Sequence, residues 1–266
     1  MVHLKYENPF RHGYNGITEE DERKDNAMMD FGILLLHAGE CHECHLGKER
    51  AFLLMHGNVT FRFNGVERRA NRQSLLEESP VVLHLPQGVS VQIVSTTDAE
   101  IAVMRTQHET TFEPRLYDQE ETSSERRGAG TMGETSTRLV RTTFDDRNAP
   151  EANLVVGEVV TFPGKWSSYP PHRHPQPEIY HYRFFPEHGF GHATVGDAVL
   201  KVGHGDTVKI LQGVSHPQVA APGYAMYYLW VIRHLDGNRY GEKSGTPIFE
   251  PEHLWVTEID AVIWPG

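Results

Sequence analysis

The sequence predicts an all-β protein made of two similar halves, and three observations lead there. Short β-branched and aromatic runs recur along most of its 266 residues, Gly, Pro, Asn and Asp separate them, and helical periodicity is scarce. In chain order the runs are "AFLLMHGNVTFRFNG" (51–65), "SPVVLHLPQGVSVQIVS" (79–95) and "EIAVMRTQ" (100–107). Then come "NLVVGEVVTF" (153–162), "EIYHYRFF" (178–185), "AVLKV" (198–202), "DTVKILQG" (206–213) and "YAMYYLWVI" (224–232). Strands of this length and spacing form barrels or sandwiches. In the first run, Gly57-Asn58 supplies turn chemistry ahead of the alternating "VTFRF" and predicts a hairpin.

Between about 110 and 150 the character changes. "YDQEETSSERRGAGTMGETSTR" is polar and Gly-rich, lacks an apolar face, and reads as a linker or surface loop. It divides the chain into an N-terminal β domain (1–110), a polar connection (111–150) and a C-terminal β domain (151–266). The two β domains echo each other: Gln-Gly-Val-Ser follows an apolar strand at 87–90 and again at 212–215, with the other elements in parallel order, which points to duplication.

Composition excludes several functions. The net charge is −11, from 25 Lys+Arg against 36 Asp+Glu, so the basic field that meets phosphate is missing and nucleic acid is not an expected partner. The longest apolar run is near "ILLL", far below the ~20 residues that span a bilayer. "MVHLKYENPFRHGYNG" shows neither an export nor a transit pattern, so the expected location is the cytoplasm. Two cysteines do not make a disulfide framework there.

The chemistry concentrates in "HRHPQPEIYHY". His172 and His174 are two apart, so in an extended segment both imidazoles point to one side. Glu178 opens the next strand after the Pro175-Gln176-Pro177 turn, and His216 follows Gly213 at the spacing G-x-x-H. Three imidazoles and a carboxylate suit a divalent metal of intermediate softness: Zn, Mn, Fe, Co or Ni. Among 17 histidines a lone H-x-H arises easily by chance; the ordered carboxylate and distal His beside β runs favour a metal site. If Glu178 faces inward, alternation turns Tyr180 and Tyr182 inward too, and His181 and Arg183 outward. Tyr227, Tyr228 and Trp230 lie on a late strand, and the positively charged Arg173 and Lys165 either face away or reach into the site.

These residues resemble the two cupin motifs, G-x5-H-x-H-x3,4-E-x6-G and P-x-G-x2-H. A longer similarity runs through "NLVVGEVVTFPGKWSSYPPHRH", "EIYHYRFFPEHGFGH", "GVSHPQVAAPGYAMYYLWVI" and "PIFEPEHLW". On these the chain is similar to the 5-deoxy-glucuronate isomerase family of inositol catabolism, with Trp166–His174 the most specific stretch. The resemblance implies a bicupin, two jelly-roll-like barrels in one chain. It also implies one divalent metal per chain, Zn2+ first with Mn2+, Fe2+ or Ni2+ as alternatives, held by His172, His174, Glu178 and His216. The implied reaction interconverts 5-deoxy-D-glucuronate and 5-dehydro-2-deoxy-D-gluconate, with Tyr180, Tyr182, Tyr228 and Arg173 as candidate catalytic residues. The implied partner is a small sugar acid, and a homo-oligomer is compatible. Another uronate isomerase, an Fe(II) cupin dioxygenase and a non-catalytic sugar-binding bicupin are the competing readings. The "EPEHLW" segment (250–255) is a candidate lid or docked tail.

The N-terminal half contains a denser cluster, Cys41-His42-Glu43-Cys44-His45, which matches the C-x-x-C-H spacing of covalent haem attachment. That chemistry belongs outside the cytoplasm. His42, Cys44, His45 and Glu49 stand where the second half has its ligands, but Val91 stands where the second half has His216. Five consecutive residues do not readily place four ligands tetrahedrally around one ion. The run is therefore expected to be the polar rim of a degenerate first barrel, with free thiols at Cys41 and Cys44.

Overall fold

The computed structural model describes residues 2–45, 47–258 and 260–262. Among them regular structure is almost entirely strand; helix is limited to the 3-10 segments Met132–Glu134, Glu242–Ser244 and Pro251–Thr257. No helix is long and apolar enough to cross a membrane among the described residues.

The chain forms two compact units. One comprises Glu7–Ser123 with Thr142–Val156; the other comprises the N-terminal residues through Tyr6, Ser124–Arg141 and the chain from Gly157 on. The divisions expected at 110 and 150 therefore move, for reasons of pairing. His3 and Leu4 pair with Val208 and Thr207. The 111–150 stretch also holds strands Arg115–Tyr117, Ser123–Arg127 and Arg138–Phe144, the last mostly buried. Its Gly-rich polar part hides the β-branched alternation of "RLVRTTF".

In the N-terminal unit the fifteen-residue strand Glu49–Phe63 pairs with Val81–Leu85 and Ala99–Thr106 along its first part. Its second part pairs with Val66–Arg72 and Val91–Ser95. The hairpin expected at Gly57-Asn58 is not there, because Asn58 stays in the ladder opposite Asn71. The turn comes at Asn64-Gly65, both left-handed (φ 47° and 73°), with Phe63 facing Val66. Gly57 is needed for another reason: a Cβ there would lie 2.4 Å from the Asp98 carbonyl oxygen. The interior is filled by Leu34, Phe52, Leu54, Phe61, Ile93 and Ile101, all fully buried.

Cys41–Cys44 forms a short strand against Val91–Ser95, and alternation splits the cluster between two faces. Cys41 is exposed and Cys44 buried, both as free thiols. His45 is exposed and its Nδ1 lies 2.6 Å from Ser90 Oγ. Glu49 is fully buried but occupied: it accepts from the Asn153 and Leu154 N–H groups at 2.7 and 3.1 Å and lies 2.9 Å from His84 Nε2.

In the C-terminal unit Glu178–Phe185 lies between Thr207–Ile210 and Ala225–Arg233. A second sheet carries, in order, Trp166–Ser167, Gln218–Ala220, Phe190–Val195 and Ala198–Gly203. The core combines Val208, Ile210, Phe184 and Met226 with Tyr180, Tyr182 and Tyr228. His181 and Arg183 turn to the opposite side of their strand, as alternation requires, yet both are buried rather than solvent-facing. His181 Nδ1 is 2.8 Å from Thr207 Oγ1. Gly157 lets Trp230 press onto the neighbouring strand, since a Cβ there would lie 2.2 Å from Trp230 Cζ2.

Candidate metal centre

Glu178 is the first residue of its strand, as the Pro-Gln-Pro turn predicts, and its carboxylate is buried. His174 precedes it by four residues, and His216 arrives from a turn in which Gln212 and Gly213 are both left-handed (φ 63° and 65°). Among the described residues these three form the one group of metal-competent side chains whose ligand atoms lie within 4.8 Å of one another.

Hydrogen bonding fixes which ring nitrogens face inward. His216 Nδ1–H donates to the Val214 carbonyl at 2.8 Å, and His174 Nδ1–H donates to the Gln176 carbonyl at 3.0 Å. In the neutral rings each Nε2 then carries a lone pair. Burial lowers the proton affinity of His216, with His174 adding to the effect and Glu178 opposing it. Its Nε2 is buried without a hydrogen bond although Glu178 Oε2 is only 3.4 Å away. Two acceptors thus face each other, an arrangement that needs a cation or a proton between them. His174 Nε2 is 3.2 Å from the same Oε2. Bonds of about 2.1 Å to one ion put adjacent ligand atoms about 3.0–3.4 Å apart, so these separations fit a shared metal.

His172 stands beside the three rather than among them. Its ring meets His216 edge-on with centroids 4.8 Å apart, and its Nδ1 is a second buried nitrogen with no partner. Burial, then His216 and His174, holds its pKa well below the usual value. The two-residue strand that starts at His172 pairs with Ile248–Phe249, so the C-terminal segment docks here, and the Glu250 N–H donates to the Pro171 carbonyl at 2.9 Å.

The tyrosines form an inner cluster next to the imidazoles. Tyr180 lies 6.0 Å from the His216 ring and 4.7 Å from Tyr228, between centroids. Ser168 Oγ is 3.3 Å from both the Tyr180 and Tyr228 hydroxyls, and Tyr228 donates to Ser167 Oγ at 3.1 Å. Tyr182 donates to Gln218. Burial raises the pKa of all three tyrosines, so they are phenols. Tyr227 turns away and donates to Glu158 at 2.9 Å. Arg173 is half-exposed and paired with Glu250 at 3.1 Å. Lys165 Nζ donates to the Glu134 carbonyl at 2.5 Å.

The sequence profile of the KduI/IolB family matches residues 3–256. The chain belongs to the KduI/IolB family. A 5-deoxy-glucuronate isomerase from Geobacillus kaustophilus (strain HTA426) is 32% identical over 229 residues, 79% of either chain. One from Bacillus subtilis (strain 168) is 26% identical over 254 residues, 88% of this chain and 89% of that one. Among solved structures, an IolB-like protein from Salmonella typhimurium LT2 superposes with a TM-score of 0.82 at 24% identity, covering 96% and 99% of the two chains. A cupin 2 conserved barrel domain protein from Leptotrichia buccalis gives a TM-score of 0.52 at 11% identity over 85% and 92%. The fold is a bicupin. In this KduI/IolB chain, sequence reasoning singled out the imidazoles, the carboxylate and the tyrosines. It gave no role to Ser167, Ser168 or Gln218, although the two serines lie inside the "WSSYPPHRH" stretch.

Proposed function

We propose that the C-terminal unit is a metal-dependent aldose–ketose isomerase that converts 5-deoxy-D-glucuronate to 5-dehydro-2-deoxy-D-gluconate in inositol catabolism, in the cytoplasm. The names of the relatives support the substrate. The observation that carries the reading is the buried His174–Glu178–His216 group, its lone pairs converging beside a linked set of hydroxyls. His174, Glu178 and His216 would hold one divalent ion per chain, Zn2+ first with Mn2+, Fe2+ or Ni2+ as alternatives, and His172 is the candidate fourth ligand. When bound, the metal supplies Lewis acidity that polarises carbonyl and hydroxyl oxygens of the sugar.

The chain's own residues do the rest. Tyr180 and Tyr228, kept as phenols by burial, donate hydrogen bonds to sugar oxygens and share Ser168 between them, so a proton given up at one hydroxyl is replaced from the next. Tyr182, held by Gln218, fixes the floor of the cluster. Arg173 and Glu250 hold the docked C-terminal segment beside His172.

The test is to follow 5-deoxy-D-glucuronate by NMR without oxygen, using metal-replete wild type and His174→Ala. Anaerobic turnover by wild type that the variant loses together with its metal is expected. Absence of turnover in metal-replete wild type overturns the isomerase; unchanged turnover in the variant overturns the metal assignment. Oxygen consumption on an acid substrate would identify a dioxygenase instead.

A further inference from the structure

Arg138 begins the strand Arg138–Phe144 and is 8% exposed. Its Nη1 donates to the Ser136 carbonyl and hydroxyl at 2.8 and 2.7 Å. Its Nε is buried with no acceptor, and the described residues supply it no carboxylate. A guanidinium stays charged in a protein, and a buried charge without a counter-ion is costly. Two other arginines of this unit have carboxylate partners: Arg141 has Glu158 at 2.9 Å and Arg173 has Glu250. Ser136 Oγ in turn donates to the Tyr169 carbonyl at 3.4 Å, next to the Ser168 hydroxyl that meets Tyr180 and Tyr228, and this chain of contacts ties Arg138 to the tyrosine cluster of the candidate centre. The free edge of a guanidinium matches a carboxylate with two parallel hydrogen bonds.

We propose that Arg138 binds the carboxylate of the sugar acid and is the residue that makes the site select an acid over a neutral sugar. This rests on the isomerase reading and assigns to Arg138 a role that charge alone would give to the more conspicuous Arg173 or Lys165. It also explains why a cation is kept beside the imidazoles with nothing of the chain's own to neutralise it.

The test compares 5-deoxy-D-glucuronate with its C6 amide, using metal-loaded wild type, Arg138→Met and Arg138→Lys. A charge-assisted bidentate contact is worth roughly 10- to 100-fold in binding. Arg138→Met is expected to lose about that factor in kcat/KM for the acid, mostly through KM, with the amide rate within about 3-fold of wild type. Arg138→Lys, which keeps charge but not the fork, is expected to fall in between, and carries the test if Arg138→Met does not fold. Equal losses on acid and amide, or an acid preference intact in the variants, overturn the proposal. Calorimetry with D-glucuronate as probe separates this from failure of the isomerase reading. If wild type turns nothing over but binds D-glucuronate at least 10-fold more tightly than the variants do, the anchor stands while the reaction does not. Equal binding overturns the anchor.

Discussion

Replacing Glu178 by Gln separates what that carboxylate does with and without metal. Glu178 Oε2 faces His174 Nε2 at 3.2 Å and His216 Nε2 at 3.4 Å, and His216 Nε2 has no hydrogen-bond partner. The amide of Glu178→Gln can donate to one of these nitrogens, and a hydrogen bond nets about 0.5–1.5 kcal/mol. Metal-free Glu178→Gln is therefore expected to melt at or above metal-free wild type, by up to about 6 °C at roughly 2–4 °C per kcal/mol. Metal reverses the order. At 100 times its Kd an ion stabilises wild type by about 2.7 kcal/mol, or roughly 5–11 °C. Losing a charged ligand costs at least the 10- to 100-fold seen for outer-sphere changes. At about 100-fold weaker binding the same metal concentration then stabilises the variant by only about 0.4 kcal/mol. The assay is thermal unfolding after chelation and again during titration with Zn2+ or Mn2+. The reasoning fails if no divalent ion raises the wild-type Tm, or if Glu178→Gln gains as much as wild type.

Three further outcomes are expected. Gly157→Ala forces a Cβ to 2.2 Å from Trp230 Cζ2 and 2.5 Å from the Arg141 carbonyl oxygen, and should lose about 1–3 kcal/mol or more in urea unfolding. Asp206→Asn tests the attachment of the N-terminal strand. Burial favours the protonated acid, but hydrogen bonds with His3 and the Tyr6 and Gly203 N–H groups outweigh it and lower the Asp206 pKa. A lowered folded pKa gives stability that is present above the unfolded value and lost as pH falls through the folded one. The variant should be about 1–2 kcal/mol less stable than wild type at pH 7, after allowing for solvent at this partly open site, and the gap should close below about pH 4. Cys41→Ser with His45→Ala should leave metal content unchanged and stability within about 0.5 kcal/mol, measured by elemental analysis and urea unfolding, because both side chains are exposed.

What could be read from the sequence depended on how local its cause is. Glu178 at a strand start and Tyr180 and Tyr182 on one face follow from a turn and a two-residue period, both local. The pairing of His174 with His216 was legible because ligand-type residues, a carboxylate among them, sat beside strands in the right order. Gly57-Asn58 misled because the same dipeptide chemistry serves a turn or a long strand crossing close to a neighbour, and the Asp98 carbonyl that decides it is distant in sequence. Arg138 was hidden because the polar residues before it dominate the composition of 111–150, while its burial comes from packing in the unit formed with the chain beyond Gly157.

The two halves share an order of elements, yet their interiors obey different physics. In the N-terminal unit the core cluster is made of aliphatic and phenyl groups with Cys44, so close packing stabilises it, and buried polar groups such as Glu49 and His84 answer each other. In the C-terminal unit three tyrosines occupy the core, and each hydroxyl is answered by Ser167, Ser168 or Gln218. A polar interior persists only when its groups are satisfied, so those left over mark where something else is meant to bind. At the candidate centre two such groups of opposite kinds stand out. The bare nitrogens of His172 and His216 call for a cation, and the unmatched N–H of Arg138 calls for an anion. On the proposed reading one metal ion and the carboxylate of one sugar acid answer both demands, whereas a neutral sugar would leave the second unmet.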